Sequence, residues 1–423
     1  MNGSDEGAAV RALVEARVHG APVDGVKRTI LRAMAEDGSE LHSLLYTSAA
    51  FGLADALGPE AGVYPLCAAA VQVARQPKDD LVAGAVEAAS RGAADDGLRE
   101  ALDGLEAARA VRAAAAAAAA GRPPAELIAA LARWGCTPEV IEAPQGYVTH
   151  LPLQLAAASD LLPLAETARD RALLVGHLVY GQVELARTYR RRPVPSGAPA
   201  PPDPDAAVGA LPAAIRSGDL PAVRSHLAAA LAKPRLVQEA GRALLRCALE
   251  ASGPLSHRFT LAEAAHRLAS SMDRPTAGAV LEAAALSIAH GYEGPKRLAS
   301  LRDLPLPRPG SPDFAGRLLV GITSGNREEA HAALRGFFEE GASPRHVAVA
   351  FMAGAGHFDS RDLHSDHPFI VLHGAWRAVL DGSFAGDAVP LFVELANRLC
   401  GAPNDHELIE QVEEAEREAR QGA

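Results

Sequence analysis

Residues 255–272 read LSHRFTLAEAAHRLASSM, and three other stretches share the pattern of a histidine followed by an apolar helical run. These are ELHSLLYTSAAFGLADAL at 40–57, VTHLPLQLAAASDLLPL at 148–164 and SDHPFIVLHGAWRAVL at 365–380. The leading histidines, His42, His150, His257 and His367, stand 108, 107 and 110 residues apart. A long fixed period of this kind is the signature of a chain built from copies of one helical unit. A second landmark keeps the register: AIRSGDLPAVRSHLAAAL around Gly218 matches GITSGNREEAHAALRGFF around Gly325, 107 residues later. Gly20 and Gly121 mark the same place more weakly in the first half. There the glycine suits the left-handed position that ends one helix, and Asp219 or Asn326 can cap the next.

Working outward, the pattern predicts an all-α protein of four helical units of about 107 residues, at 9–106, 107–205, 206–313 and 314–420. The Pro-rich stretch PVPSGAPAPPDPD at 193–205 divides the chain into an N-terminal half, 1–192, and a C-terminal half, 206–423, with two units in each. A shorter stretch of the same kind, DLPLPRPGSPD, lies at 303–313. Composition agrees with helices. Alanine dominates, aromatics are only 4%, and 38 Gly and 30 Pro supply starts and stops. No alternating strand is expected, and Arg190–Arg192 read as a solvated helix end. The acidic C-terminal ELIEQVEEAEREARQ reads as an exposed terminal helix.

Charge and cysteines narrow the function. A net charge of −11 gives no drive toward phosphate backbones or anionic lipid, so nucleic acid and membrane partners are not expected. Four widely spaced cysteines contain no C-x-x-C pair, which excludes a zinc ribbon, argues against a disulfide framework and suits a reducing compartment. With no signal-peptide pattern and no long apolar run, a cytoplasmic location is expected. There is also no H-E-x-x-H, G-x-S-x-G, P-loop or dinucleotide fingerprint.

The recurring histidine has two readings. One is structural, an imidazole bonding a carbonyl of the neighbouring unit. The other is a metal or catalytic site, because neutral imidazole is a favoured nitrogen donor for iron, zinc and copper. Geometry separates them: an open solenoid holds the rings one unit apart, whereas a closed arrangement lets them share an ion. The first ligand candidates are His42, His150, His257 and His367. His364, three residues before His367, and His177, on the helix after His150, come next. Tyr46 and Gln154, each four residues after a leading histidine, share its helical face and can orient an imidazole or bind substrate. For Tyr46 a core aromatic is the competing reading.

The segment Ser365-Asp366-His367-Pro368-Phe369-Ile370, with the looser Thr149-His150-Leu151-Pro152 and Ser256-His257-Arg258-Phe259, resembles the questin oxidase-like proteins and the all-helical regions that precede a Rieske module in some bacterial proteins. The resemblance implies an oxidase or oxygenase acting on a small, aromatic or polyketide-type substrate; the histidines themselves point to iron, or else zinc or copper, as the metal. It does not imply a Rieske cluster, since no C-x-H followed by C-x-x-H exists here. The competing expectation is a non-enzymatic helical-repeat module that binds a protein or small ligand on a concave surface.

Overall fold

The computed structural model of the chain describes residues 3–37, 42–76, 80–91, 97–142, 149–195, 203–307, 313–354, 368–384, 388–402 and 407–422. Among them the chain is all-α. The first half forms α1 (Gly3–Val18), α2 (Val23–Asp37), α3 (Ser43–Ala61), α4 (Val63–Arg75), α5 (Leu81–Arg91), α6 (Leu98–Asp103), α7 (Ala107–Ala119), α8 (Pro124–Gly135), α9 (Leu151–Leu161) and α10 (Ala168–Thr188). The second half forms α11 (Pro204–Ser217), α12 (Leu220–Ala230), α13 (Pro234–Glu250), α14 (His257–Ser271), α15 (Arg274–His290), α16 (Phe314–Thr323), α17 (Arg327–Glu339), α18 (Pro344–Ala353), α19 (Pro368–Leu380), α20 (Val389–Leu399) and α21 (Glu407–Gly422).

The punctuation follows the sequence. Gly218 closes α11 at φ 67°, and the Asp219 carboxylate accepts the Ala222 N–H to start α12. Gly325 (φ 70°) and Asn326, which accepts the Glu329 N–H, do the same between α16 and α17. Gly20 and Gly121 also take positive φ, between α1 and α2 and between α7 and α8.

Two expectations need correction. A two-stranded antiparallel ribbon exists where no strand was expected, β1 (Glu139–Glu142) against β2 (Arg190–Pro193). Arg190–Arg192 are therefore not a helix end: α10 stops at Thr188. Arg192 precedes proline and so avoids helical geometry, and Arg191 and Arg192 face Glu139 and Glu142, each at 3.6 Å. The C-terminal helix α21 is more than an exposed cap. It lies on α1 and α4 and buries Leu408, Val412, Ala415 and Ala419, which joins the two ends of the chain.

The helices α3, α9, α14 and α19 form a closed ring at the centre: α3 packs on α9 and α19, and α14 packs on the same two. Two of them precede residue 193 and two follow residue 205. Their first two to three turns are buried almost all round, which fits helices that lack a polar face. Small residues let them approach closely. At Gly52 of α3 an added Cβ would lie 2.3 Å from His373 Nε2 of α19, so the glycine is what admits that imidazole.

Candidate metal centre

His42 and His150 occupy the N-cap positions of α3 and α9, and His257 is the first residue of α14. Neither His42 nor His150 uses its ring to cap its own helix. Ring closure instead brings the three imidazoles together at one end of the barrel of helices. The His42 and His150 Nε2 atoms are 3.3 Å apart. Ring centroids are separated by 5.1 Å for His42 and His150 and by 4.8 Å for His150 and His257. One nitrogen from each ring lies within 4.8 Å of one from each of the others. Two nitrogens on one ion, each bound at about 2.0–2.1 Å, stand about 3.3 Å apart at the corners of a tetrahedron. The His42–His150 separation matches that edge. Two imidazole lone pairs face each other at this distance only across a shared proton or a cation. The residues present therefore fit a metal with nitrogen donors.

One contact fixes the backbone at the start of α9. Tyr189, at the end of α10, accepts the His150 backbone N–H at 3.0 Å. Burial pushes its phenol up to about 12, so it stays protonated. His150 and His257 are buried and His42 is half-buried. The N-terminal ends of α3, α9 and α14 converge here; their positive dipole ends oppose a bare cation at this point and favour an anionic ligand beside it.

Beneath the histidines the ring interior is ordered in layers at constant offsets. Three residues on are Leu45, Leu153, Thr260 and Ile370; six on are Ser48, Ala156, Glu263 and His373; seven on are Ala49, Ala157, Ala264 and Gly374. The fourth member of each layer is counted from position 367. Between them lies a cavity of about 30 Å³, room for one water molecule and not for an aromatic substrate. Ten residues on, Asp160 gathers the ring: it accepts from Ser48 Oγ (3.2 Å) and Arg267 Nη1 (2.6 Å), with Arg377 Nη2 at 3.8 Å. Arg267 also holds Glu263 at 2.9 Å.

This polar layer escaped the sequence reading. Its signal was a charged residue ten places after three of the four histidines, Asp160, Arg267 and Arg377, with Glu263 six places after His257. Burial, with Arg267 and Arg377 beside it, pushes His373 down to about 3, against an ordinary value of about 6.5. Between those values the unfolded chain binds a proton there and the folded chain does not. Stability from this residue is thus complete above about pH 6.5 and lost on acidification, at up to about 1.4 kcal/mol per pH unit. Glu263 acts with the opposite sign, since burial raises its carboxyl above the usual range against the pull of Arg267. Urea unfolding of His373→Gln should show a flatter fall in stability between about pH 6.5 and 4.5 than the wild type, and Glu263→Gln a steeper one.

The remaining candidates fall elsewhere. His177 is buried on α10, outside the three-histidine cluster. Gln154 is buried, and its Oε1 accepts from Gln182 Nε2 of α10 at 3.2 Å, on a face turned from the ring interior. Tyr46 is buried and stacks on Phe369 of α19, centroids 4.9 Å apart, which places it in the α3–α19 interface. His364 and His367 lie outside the described residues. Comparison with protein-family models, curated proteins and solved structures finds no match. Among the described residues no helix is long and apolar enough to cross a membrane.

Proposed function

We propose that the protein is a metal-dependent oxidoreductase of oxidase or oxygenase type, with iron, or else copper, held by His42, His150 and His257. The observation that carries this reading is the 3.3 Å separation of the His42 and His150 Nε2 atoms, with a third imidazole beside them. A metal with three nitrogen donors keeps coordination positions open and supplies Lewis acidity and, if redox-active, electron exchange. The chain's own part is to exclude water and to position substrate. Because the ring interior admits only a water-sized guest, a small aromatic or polyketide-type substrate meets the centre from its outer side, next to the half-buried His42. The converging helix N-termini favour a substrate that presents a phenolate, enolate or carboxylate oxygen.

The four histidine-led helices are, in this reading, copies within one four-unit chain whose closure creates the site. Closure also favours an enzyme over a helical-repeat binding module, which depends on an open concave face. Elemental analysis of protein purified without an affinity tag tests the assignment. About one equivalent of iron or copper per chain is expected; zinc alone would redirect the reading to hydrolytic chemistry, and no metal would end it.

A further inference from the structure

Directly beneath the histidines, three of the four interior positions are aliphatic, Leu45, Leu153 and Ile370, and the fourth is Thr260. Thr260 is buried and sits one turn below His257 on α14. Its Oγ1 is 3.2 Å from the His257 carbonyl oxygen and 3.5 Å from His257 Nδ1. A threonine hydroxyl has one proton to donate and two lone pairs to offer. With that proton on the nearer carbonyl oxygen, Thr260 meets Nδ1 only as an acceptor. Nδ1 then carries the ring proton and Nε2 the lone pair. Nε2 is also the nitrogen by which His42 and His150 approach each other at 3.3 Å.

The hydroxyl is aimed by packing as well. Threonine is stiff at χ1, and its methyl lies over Gly374 of α19, where an added Cβ would be only 3.1 Å from Thr260 Cγ2. Glycine at that point of the neighbouring helix gives the methyl its place and turns Oγ1 toward His257.

We propose that Thr260 is a positioning residue of the histidine centre, fixing His257 in the tautomer that presents Nε2. The proposal rests on the reading of the three histidines as a metal centre, and the tautomer can be read without any metal. Outer hydrogen bonds to a ligating imidazole set its tautomer and orientation, and their loss typically lowers metal affinity about 10–100-fold.

The test compares wild type, Thr260→Val, which keeps the shape and removes the acceptor, and Thr260→Ser, which keeps the hydroxyl. In metal-free protein with ¹⁵N-labelled histidine, nuclear magnetic resonance should show His257 protonated at Nδ1 in wild type and Thr260→Ser, and a mixture or the other tautomer in Thr260→Val. Calorimetric titration with Zn²⁺ should show affinity about 10–100-fold weaker in Thr260→Val and near wild type in Thr260→Ser. An unchanged His257 tautomer in Thr260→Val, or equal behaviour of the two variants, would overturn the proposal. A wild type that fails to bind Zn²⁺ while the tautomer follows Thr260 would overturn the metal reading and leave the positioning of His257 standing.

Discussion

His150→Ala should abolish tight metal binding, with affinity lower by more than the roughly 100-fold upper range seen when an outer hydrogen-bond partner is lost. His150 is the sharpest test among the three because its ring meets both of the others. Removing it leaves two imidazoles that no longer share a neighbour and opens a gap in a buried layer. Calorimetric titration with Zn²⁺ measures the affinity, and circular dichroism checks that the helices persist. Retained affinity in a folded variant would show that the 3.3 Å contact is a shared proton and not a metal edge. His42→Ala and His257→Ala should follow the same course.

Asp160→Ala is expected to have the largest effect on stability. Three other ring helices reach this carboxylate: Ser48 from α3, Arg267 from α14 and Arg377 from α19. Removing it leaves Arg267, with about a fifth of its side chain exposed, paired only with Glu263 among the partners described above. Breaking a fully buried pair costs about 3–5 kcal/mol, and the partial exposure here reduces this to about 2–4 kcal/mol. Asp160→Asn, which keeps the acceptor oxygen and loses the charge, should cost less. Urea unfolding followed by circular dichroism gives both values. A loss below about 0.5 kcal/mol for Asp160→Ala, the size of an ordinary surface change, would mean that apolar packing alone closes the ring.

The helical character of the chain was plain in its alanine, proline and glycine usage, and the period of the histidines singled out His42, His150, His257 and His367, of which the first three lie together and the fourth is outside the described residues. What the period could not convey was closure. A helix without a polar face, such as 151–161 or 368–380, announces burial on all sides and not the partners that bury it, which for both helices include α3 and α14, distant in sequence, beside nearer neighbours. Gln154 illustrates the limit of spacing arguments. Offset four and offset three both count as one helical face, yet at about 100° per residue they fall on opposite sides of the histidine. The ring interior takes offsets three, six, seven and ten, so Gln154 turns toward α10 and Leu153 turns inward. The ribbon was missed for a simpler reason: strands of four residues are too short to display alternation.

X-ray absorption spectroscopy on metal-loaded protein, in wild type and in the three histidine variants, tests the shared centre most directly. The expected result is a metal with imidazole nitrogens at about 2.0–2.1 Å, one fewer or none in His42→Ala, His150→Ala and His257→Ala. A wild-type spectrum without imidazole scattering, or one that all three variants leave unchanged, would contradict it.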